Sequence, residues 1–293
     1  MPTVSIAIPT YNCEKYIAQS IESLLGQTYG DFELVISDNA STDGTEAVCR
    51  SYEAKDARVR YVRRTQNIGG PGNFRYVFSL CKGKYHKWST ADDYWHPKFL
   101  EEAVAVLDQR SDVVLCYPMT QLIDAAGNKI EDYADNLDLA SDSARQRFCD
   151  LFDRIGLCQA HLGLIRRDAM QQTRLIAGHL ASDVDFLAEM ALRGKFRLLP
   201  DVRFYRRYHP TSSSWERGDQ KHQKAYYDPS NTTNLNLETW RRYKFQFGMV
   251  ARGPLNWADK LALYKRLGRD MRHNRHALVN ELLGQFRRSP VAA

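Results

Sequence analysis

The feature that most constrains this chain is an alternation along its first 117 residues. Apolar runs with strand character (TVSIAIPT, DFELVISD, RVRYVRR, KYHKWST and DVVLCYP) are separated by segments with helical spacing. EKYIAQSIESLLGQ places Ile17, Ile21, Leu24 and Leu25 on one helical face. TDGTEAVCRSYEAK offers Thr42 or Asp43 as a cap, PGNFRYVFSLCKG opens on Pro71 and stops near Gly83, and PKFLEEAVAVLDQR opens on Pro97. Proline has no N–H to waste in a first helical turn, and Thr and Asp oxygens accept from the unpaired N–H groups there. Strands that alternate with helices are covered on both faces, which calls for a parallel sheet. The expectation is an α/β fold reading β-α-β-α-β-α-β-α-β over residues 3–117.

In such a sheet, ligands bind beyond the carboxyl ends of the strands. Those ends read PTYN (9–12), SDNASTD (37–43), RTQNIGGPGN (64–73) and STADDYW (89–95), all polar. Asp92 and Asp93 repel each other, so they belong at the mouth of a cleft rather than in a core. The bland alternative is a helix N-terminus, where Asp is favoured by the dipole.

Beyond residue 117 the pattern loosens. LIDAAGNKI reads as a hairpin turn at Gly127, SDSARQRFCDLFDRI as a helix, and HLGLIRRDAM as a strand running into a helix. SDVDFLAEMALRG reads as a helix with Ser182, Asp183 and Asp185 at its start. FRLLPDVRFYRRYHPTSSS reads as two short strands and a polar loop, and residues 232–287 as basic helices broken near RGPLN.

Composition removes several classes. With 293 residues and 43% hydrophobic content the chain can bury a sizeable core. No run approaches the roughly 20 apolar residues that span a bilayer. MPTVSIAIPTYN has no basic n-region and no small-residue cleavage site, which reads as a cytoplasmic protein. The six cysteines (13, 49, 81, 116, 149, 158) show no CxxC or zinc-type spacing and read as reduced, mostly buried thiols. From Trp240 onward twelve Lys/Arg face three Asp/Glu, a net of +9 in a chain of +6, so residues 1–239 carry −3. The basic character belongs to the tail, which argues against a nucleic-acid-binding core.

VSIAIPTYNCEKYIAQSIESLLGQTYGDFELVISDNASTDGT, followed in order by NIGGPGN, GKYHKWSTADD, SDVDFLAEMALRG and FYRRYHPTSS, resembles the family 2, GT-A-fold glycosyltransferases over roughly residues 3–215. The resemblance implies a Rossmann-like, mostly parallel sheet flanked by helices; the basic helical C-terminal extension read from the tail lies beyond it. Residues 1–230 would be the catalytic domain, 1–117 its nucleotide-binding half and 118–230 its acceptor-binding half; residues 231–293 would be the extension. It implies metal-dependent, inverting transfer of a sugar from a nucleotide diphosphate.

Carried over residue by residue, the resemblance makes Asp93 a ligand of Mn2+ or Mg2+ and gives Asp92 the metal or the ribose. His209 in RRYHPTSS is similar to the family's late diphosphate or metal contact, with Arg206 and Arg207 able to balance phosphate charge. Pro9, Thr10 and Tyr11 would hold the base, Asp38 and Asn39 would read it, and Asn67, Asn73 and Arg75 would face the nucleotide. Asp183 would be the catalytic base, with Asp185 as its rival. Three positions depart from the family's pattern: Thr90 stands where a third acid is common, Asn39 where a second base-reading acid is common, and Ser182 where Glu is usual. Asn39 leaves thymine or guanine open beside uracil. Each residue also has a bland reading as a turn, cap or surface-loop residue, and Trp95 reads equally as acceptor wall or core.

The expected partners are a nucleotide-diphosphate sugar donor and a glycan or lipid-linked acceptor in cell-surface polysaccharide or O-antigen assembly. The tail would touch an anionic membrane surface at the inner face, form a lid over the acceptor site, or pack as a bundle on the catalytic domain. Two other functions compete. A sugar-nucleotide nucleotidyltransferase lacks support because PTYNCEKY has no glycine-rich basic loop. A catalytically dead nucleotide-sugar-binding module is kept open by Thr90 and Asn39.

Overall fold

A computed structural model describes residues 1–210, 226–227 and 237–286. The first half follows the expected alternation: β1 (Val4–Thr10), α1 (Glu14–Leu25), β2 (Phe32–Asp38), α2 (Thr45–Glu53), β3 (Val59–Arg63), α3 (Gly70–Leu80), β4 (Tyr85–Trp88), the two-residue β5 (Tyr94–Trp95), α4 (Phe99–Gln109) and β6 (Val113–Ile123). Then come β7 (Lys129–Tyr133), α5 (Ala144–Arg154), a 3-10 turn (Gln159–Leu162), β8 (Leu164–Arg166), α6 (Arg167–Gln171), α7 (Ser182–Arg193) and β9 (Lys195–Arg207). Three helices follow: α8 (Glu238–Arg252), α9 (Trp257–His273) and α10 (Arg275–Phe286).

The strands form one nine-stranded sheet in the order β3-β2-β1-β4-β8-β6-β9-β5, with β7 on β6. Strands β3, β2, β1 and β4 pair in parallel, as do β6 and β9, while β8 runs antiparallel between β4 and β6. Strands β1, β2 and β4 are buried almost throughout, the pattern of strands covered on both faces. The α/β reading holds, with a helical C-terminal region. The strand read in HLGLIRRDAM is β8, and it runs into α6 as expected. The order of segments does not show that β8 inserts between β4 and β6, and the two-residue β5 carries too few side chains to show a period.

The expectation of two strands within 195–207 is corrected to one. Strand β9 pairs with β6 from Lys195 to Leu199 and again from Arg203 to Arg207, and the register shifts opposite Pro118–Met119. Pro118 and Pro200 have no N–H for a ladder, so the break falls where pairing could not continue. The second stretch of β9 delivers Arg206, Arg207 and His209 to the end of β4. The loop expected after Pro210 lies outside the described residues, as does the 230/231 boundary.

The tail packs on the rest. Phe245, Met249 and Val250 of α8, and Leu263 and Leu267 of α9, belong to the same core as the sheet. No described helix is long and apolar enough to cross a membrane.

Candidate active site

At the rim, β1 and β2 end side by side and their loops are stitched together. Asn39 N–H donates to the Thr10 carbonyl at 2.9 Å, Asn12 N–H to Ser41 Oγ at 2.9 Å, and Thr42 N–H to Asn12 Oδ1 at 2.8 Å. Pro9 and Thr10 close β1, and Tyr11 stands 45% exposed beside them, an aromatic face open to a ligand. Asp38 is fully buried; it accepts from Ser41 N–H at 2.8 Å and from the Tyr61 hydroxyl at 2.6 Å. Burial and this bond to a carboxylate push the Tyr61 phenol up. Asn39 spends both ends of its amide on the next loop: Nδ2 donates to Asn67 Oδ1 at 2.7 Å, and Oδ1 accepts from Ile68 N–H at 2.9 Å. Asp38 and Asn39 therefore set the shape of the loop, and Asn67 holds the glycine turn by accepting from Gly69 N–H at 2.8 Å.

Two expectations are corrected here. Asn73 is 2% exposed and its amide joins the Ser37 hydroxyl (2.6 Å) and the Ser37 carbonyl (2.7 Å), so it braces α3 on β2 instead of facing a nucleotide. Arg75 Nη1 donates to the Ile176 carbonyl at 2.6 Å, which ties α3 to the segment before α7.

The paired acids sit just past β4. Asp93 is buried, accepts from the Arg207 N–H at 2.7 Å and from the Thr90 hydroxyl, and is pushed up to about 7 by burial first and the Asp92 charge second. A third acid at position 90 would add repulsion; a hydroxyl donates a hydrogen bond instead. Asp92 Oδ2 lies 3.0 Å from His209 Nε2, and the His209 ring packs 4.8 Å from that of Tyr16. Arg207 is 4% exposed and committed: Nε donates to the Asp92 carbonyl at 3.0 Å and Nη2 to Gln19 Oε1 at 2.5 Å. It locks the acid loop in place rather than standing ready for phosphate.

These acids share a cavity of about 420 Å3 with the start of α7, the 3-10 turn, Arg206, Tyr226 and Tyr227. Asp183 lines it. Asp185, two residues further along α7, is fully buried, 2.9 Å from His179 Nε2 and 3.0 Å from Gln246 Nε2 of α8. Trp95 is core, 2% exposed and stacked on Phe204 at 4.3 Å. Behind the acids, fully buried Lys87 donates to the Leu162 carbonyl at 2.9 Å and joins β4 to the 3-10 turn; burial holds its amine well below the usual lysine range.

The sequence reading missed Cys158 and His161. Both line the cavity. Burial drives the Cys158 thiol well up and the His161 imidazole down. Residues 156–162 have no periodicity, so nothing in the order of letters brings them to Asp183.

A family model described as Glycosyl transferase family 2 matches residues 5–173. The chain belongs to that family. Among curated relatives it is 31% identical to the uncharacterized glycosyltransferase MJ1057 of Methanocaldococcus jannaschii over 134 residues, 45% of this chain and 46% of that protein. It is 35% identical to the chondroitin synthase of Escherichia coli over 131 residues, 44% of this chain and 19% of that one. The match thus spans less than half the length of either relative. Among solved structures, S. aureus TarS 1–349 in complex with UDP superposes with a TM-score of 0.63 at 18% identity, covering 88% of this chain and 68% of that one. The mannosyltransferase PcManGT from Pyrobaculum calidifontis, in complex with GDP-Man and Mn2+, gives 0.55 at 18% identity, covering all of this chain and 76% of that one. These likenesses are of fold.

Proposed function

We propose that this chain is a metal-dependent inverting glycosyltransferase. It moves a hexosyl group from a nucleotide-diphosphate donor, a UDP-sugar first and a dTDP- or GDP-sugar as the alternative, to a hydroxyl of a glycan or lipid-linked acceptor in cell-surface polysaccharide assembly. The observation that carries this reading is one cavity of about 420 Å3 lined by Asp92, Asp93 and Asp183, with His209 bonded to Asp92.

The donor set fits a hard divalent cation. Asp93 is a buried carboxylate beside the charge of Asp92, and His209 adds an imidazole bonded to Asp92. Asp93, Asp92 and His209 would hold the ion. Bound there, Mn2+ or Mg2+ supplies charge compensation for the departing nucleoside diphosphate. Pro9, Thr10 and Tyr11 would seat the base, with Tyr11 as its stacking face, while Asp38, Asn39 and Asn67 hold the loops that frame it. Arg206 lines the cavity and adds positive charge. Asp183 is the base. It takes the proton of the acceptor hydroxyl as that oxygen attacks the anomeric carbon from the face opposite the nucleotide, and the bond from that carbon to the phosphate oxygen breaks, inverting the centre.

The test is release of nucleoside diphosphate from UDP-, dTDP- and GDP-sugars with Mn2+ or Mg2+, with the anomeric configuration of product read by NMR. Nucleotide binding without release from any donor in the presence of glycan or lipid-linked acceptors would favour a binding module; pyrophosphate-dependent turnover would favour a nucleotidyltransferase.

The tail supplies a peripheral surface. Trp257 is 83% and Leu261 55% exposed one helical turn apart on basic α9, and Leu282 and Leu283 of α10 are exposed as well. Exposed aromatic and aliphatic side chains among Lys and Arg suit an anionic membrane face.

A further inference from the structure

We propose that Cys158, His161 and Asp183 form a second metal site, for a zinc-type ion, separate from the hard-cation donors at Asp92, Asp93 and His209. One ligand atom from each of the three lies within 4.8 Å of the others. Thiolate, imidazole and carboxylate are the donors that borderline-soft ions select, whereas the Asp92 and Asp93 oxygens suit Mn2+ or Mg2+. In a tetrahedral zinc site, ligand atoms stand roughly 3.3 to 3.8 Å apart, so the three need close by only about 1 Å.

The imidazole is already set for this role. His161 Nδ1 sits 2.5 Å from the Cys158 carbonyl oxygen, so Nδ1–H donates there and Nε2 keeps its lone pair. A ligating histidine commonly fixes its other nitrogen on a backbone carbonyl in this way. All three residues line the cavity, which gives an ion a path in and leaves a fourth position for water. The ligands come from the turn at 158–161 and from the first turn of α7, so an ion there joins the two.

The consequence rests on reading Asp183 as the base: an ion that takes its carboxylate removes the base, and zinc-type ions inhibit transfer. Binding itself does not depend on that reading.

The experiment is titration of the reduced, metal-free full chain with Co2+. One equivalent should give thiolate-to-cobalt absorption, which disappears in Cys158→Ser, weakens about tenfold or more in affinity in His161→Gln, and persists in Asp93→Ala. Absence of thiolate absorption in the unmodified protein, or its survival in Cys158→Ser, overturns the proposal. Should Cys158→Ser fail to fold, alkylation of the unmodified protein followed by mass spectrometry replaces it: Zn2+ must slow labelling of Cys158, and equal labelling with and without Zn2+ overturns the site. Transfer undiminished by bound Zn2+ would overturn the inhibitory consequence alone.

Discussion

His209 Nε2 lies 3.0 Å from Asp92 Oδ2, joining the end of β9 to the acid loop after β4 across 117 positions of sequence. Both residues are held from behind: Arg207 donates to the Asp92 carbonyl, and Tyr16 packs on the imidazole. His209→Ala should therefore weaken metal-dependent nucleotide binding by at least about 10- to 100-fold, because the loss of even a ligand's supporting partner costs that much and His209 would itself be a donor. Calorimetry with Mn2+ and with EDTA reads this. An unchanged dependence on metal would mean that the imidazole only packs.

Asp93 carries a pH signature. Its carboxyl stands at about 7, above the ordinary 3.8, because burial and the Asp92 charge disfavour ionisation. Between those values the folded chain holds a proton that the unfolded chain has lost. The stability this gives is complete below pH 3.8 and is lost as pH rises through about 7. The metal-free protein should lose thermal stability over this window, and Asp93→Asn should flatten the loss. Metal affinity should run the other way, rising toward and past pH 7 as the carboxylate forms. Parallel melting curves for the two proteins from pH 4 to 8 would contradict the assignment.

Asp183 and Asp185 lie two residues apart and should fail differently. Asp183→Asn should leave the melting temperature near that of the parent and lower turnover about 10^2- to 10^4-fold. Asp185→Ala removes the acceptor of both His179 and Gln246, and each stranded buried group costs about 1–3 kcal/mol. Its first effect should be a lower melting temperature and a loosened α8. Thermal denaturation beside turnover separates the two, and a destabilised Asp183→Asn with full turnover would reverse the roles.

The basic helices make a separate prediction. Trp257→Ala with Leu261→Ala should reduce co-sedimentation with anionic vesicles at low salt and leave binding of nucleotide in place. No binding of the parent chain to such vesicles would remove the membrane surface from the account.

Much of this was legible in the sequence, for identifiable reasons. Long periodic segments announced β1 to β4 and the helices between them, and a parallel sheet then placed the four polar strand ends on one rim without further information. Asp92 and Asp93 were placed on that rim by position, whereas Asp183 came from the resemblance carried by SDVDFLAEMALRG. What the letters could not show was how far a side chain was already committed. Asn73 and Arg75 lie on a helix next to a rim loop, and only their bonds to Ser37 and Ile176 reveal that they brace the scaffold. Asp185 differs from Asp183 by its turn about the helix axis and by α8, which sequence spacing places nowhere near it. Cys158 and His161 escaped because a 3-10 turn leaves no period.

The central claim is that the rim holds a nucleoside diphosphate through a metal bound at Asp93. It is tested most directly by calorimetry of UDP, dTDP, GDP and CMP binding, with Mn2+ and with EDTA, to the parent chain and to Asp93→Ala. The account predicts that one diphosphate binds in the micromolar range, requires the metal, and is lost in Asp93→Ala; which base binds then fixes the donor class. Binding that ignores both metal and Asp93, or no binding by any of the four, would contradict it.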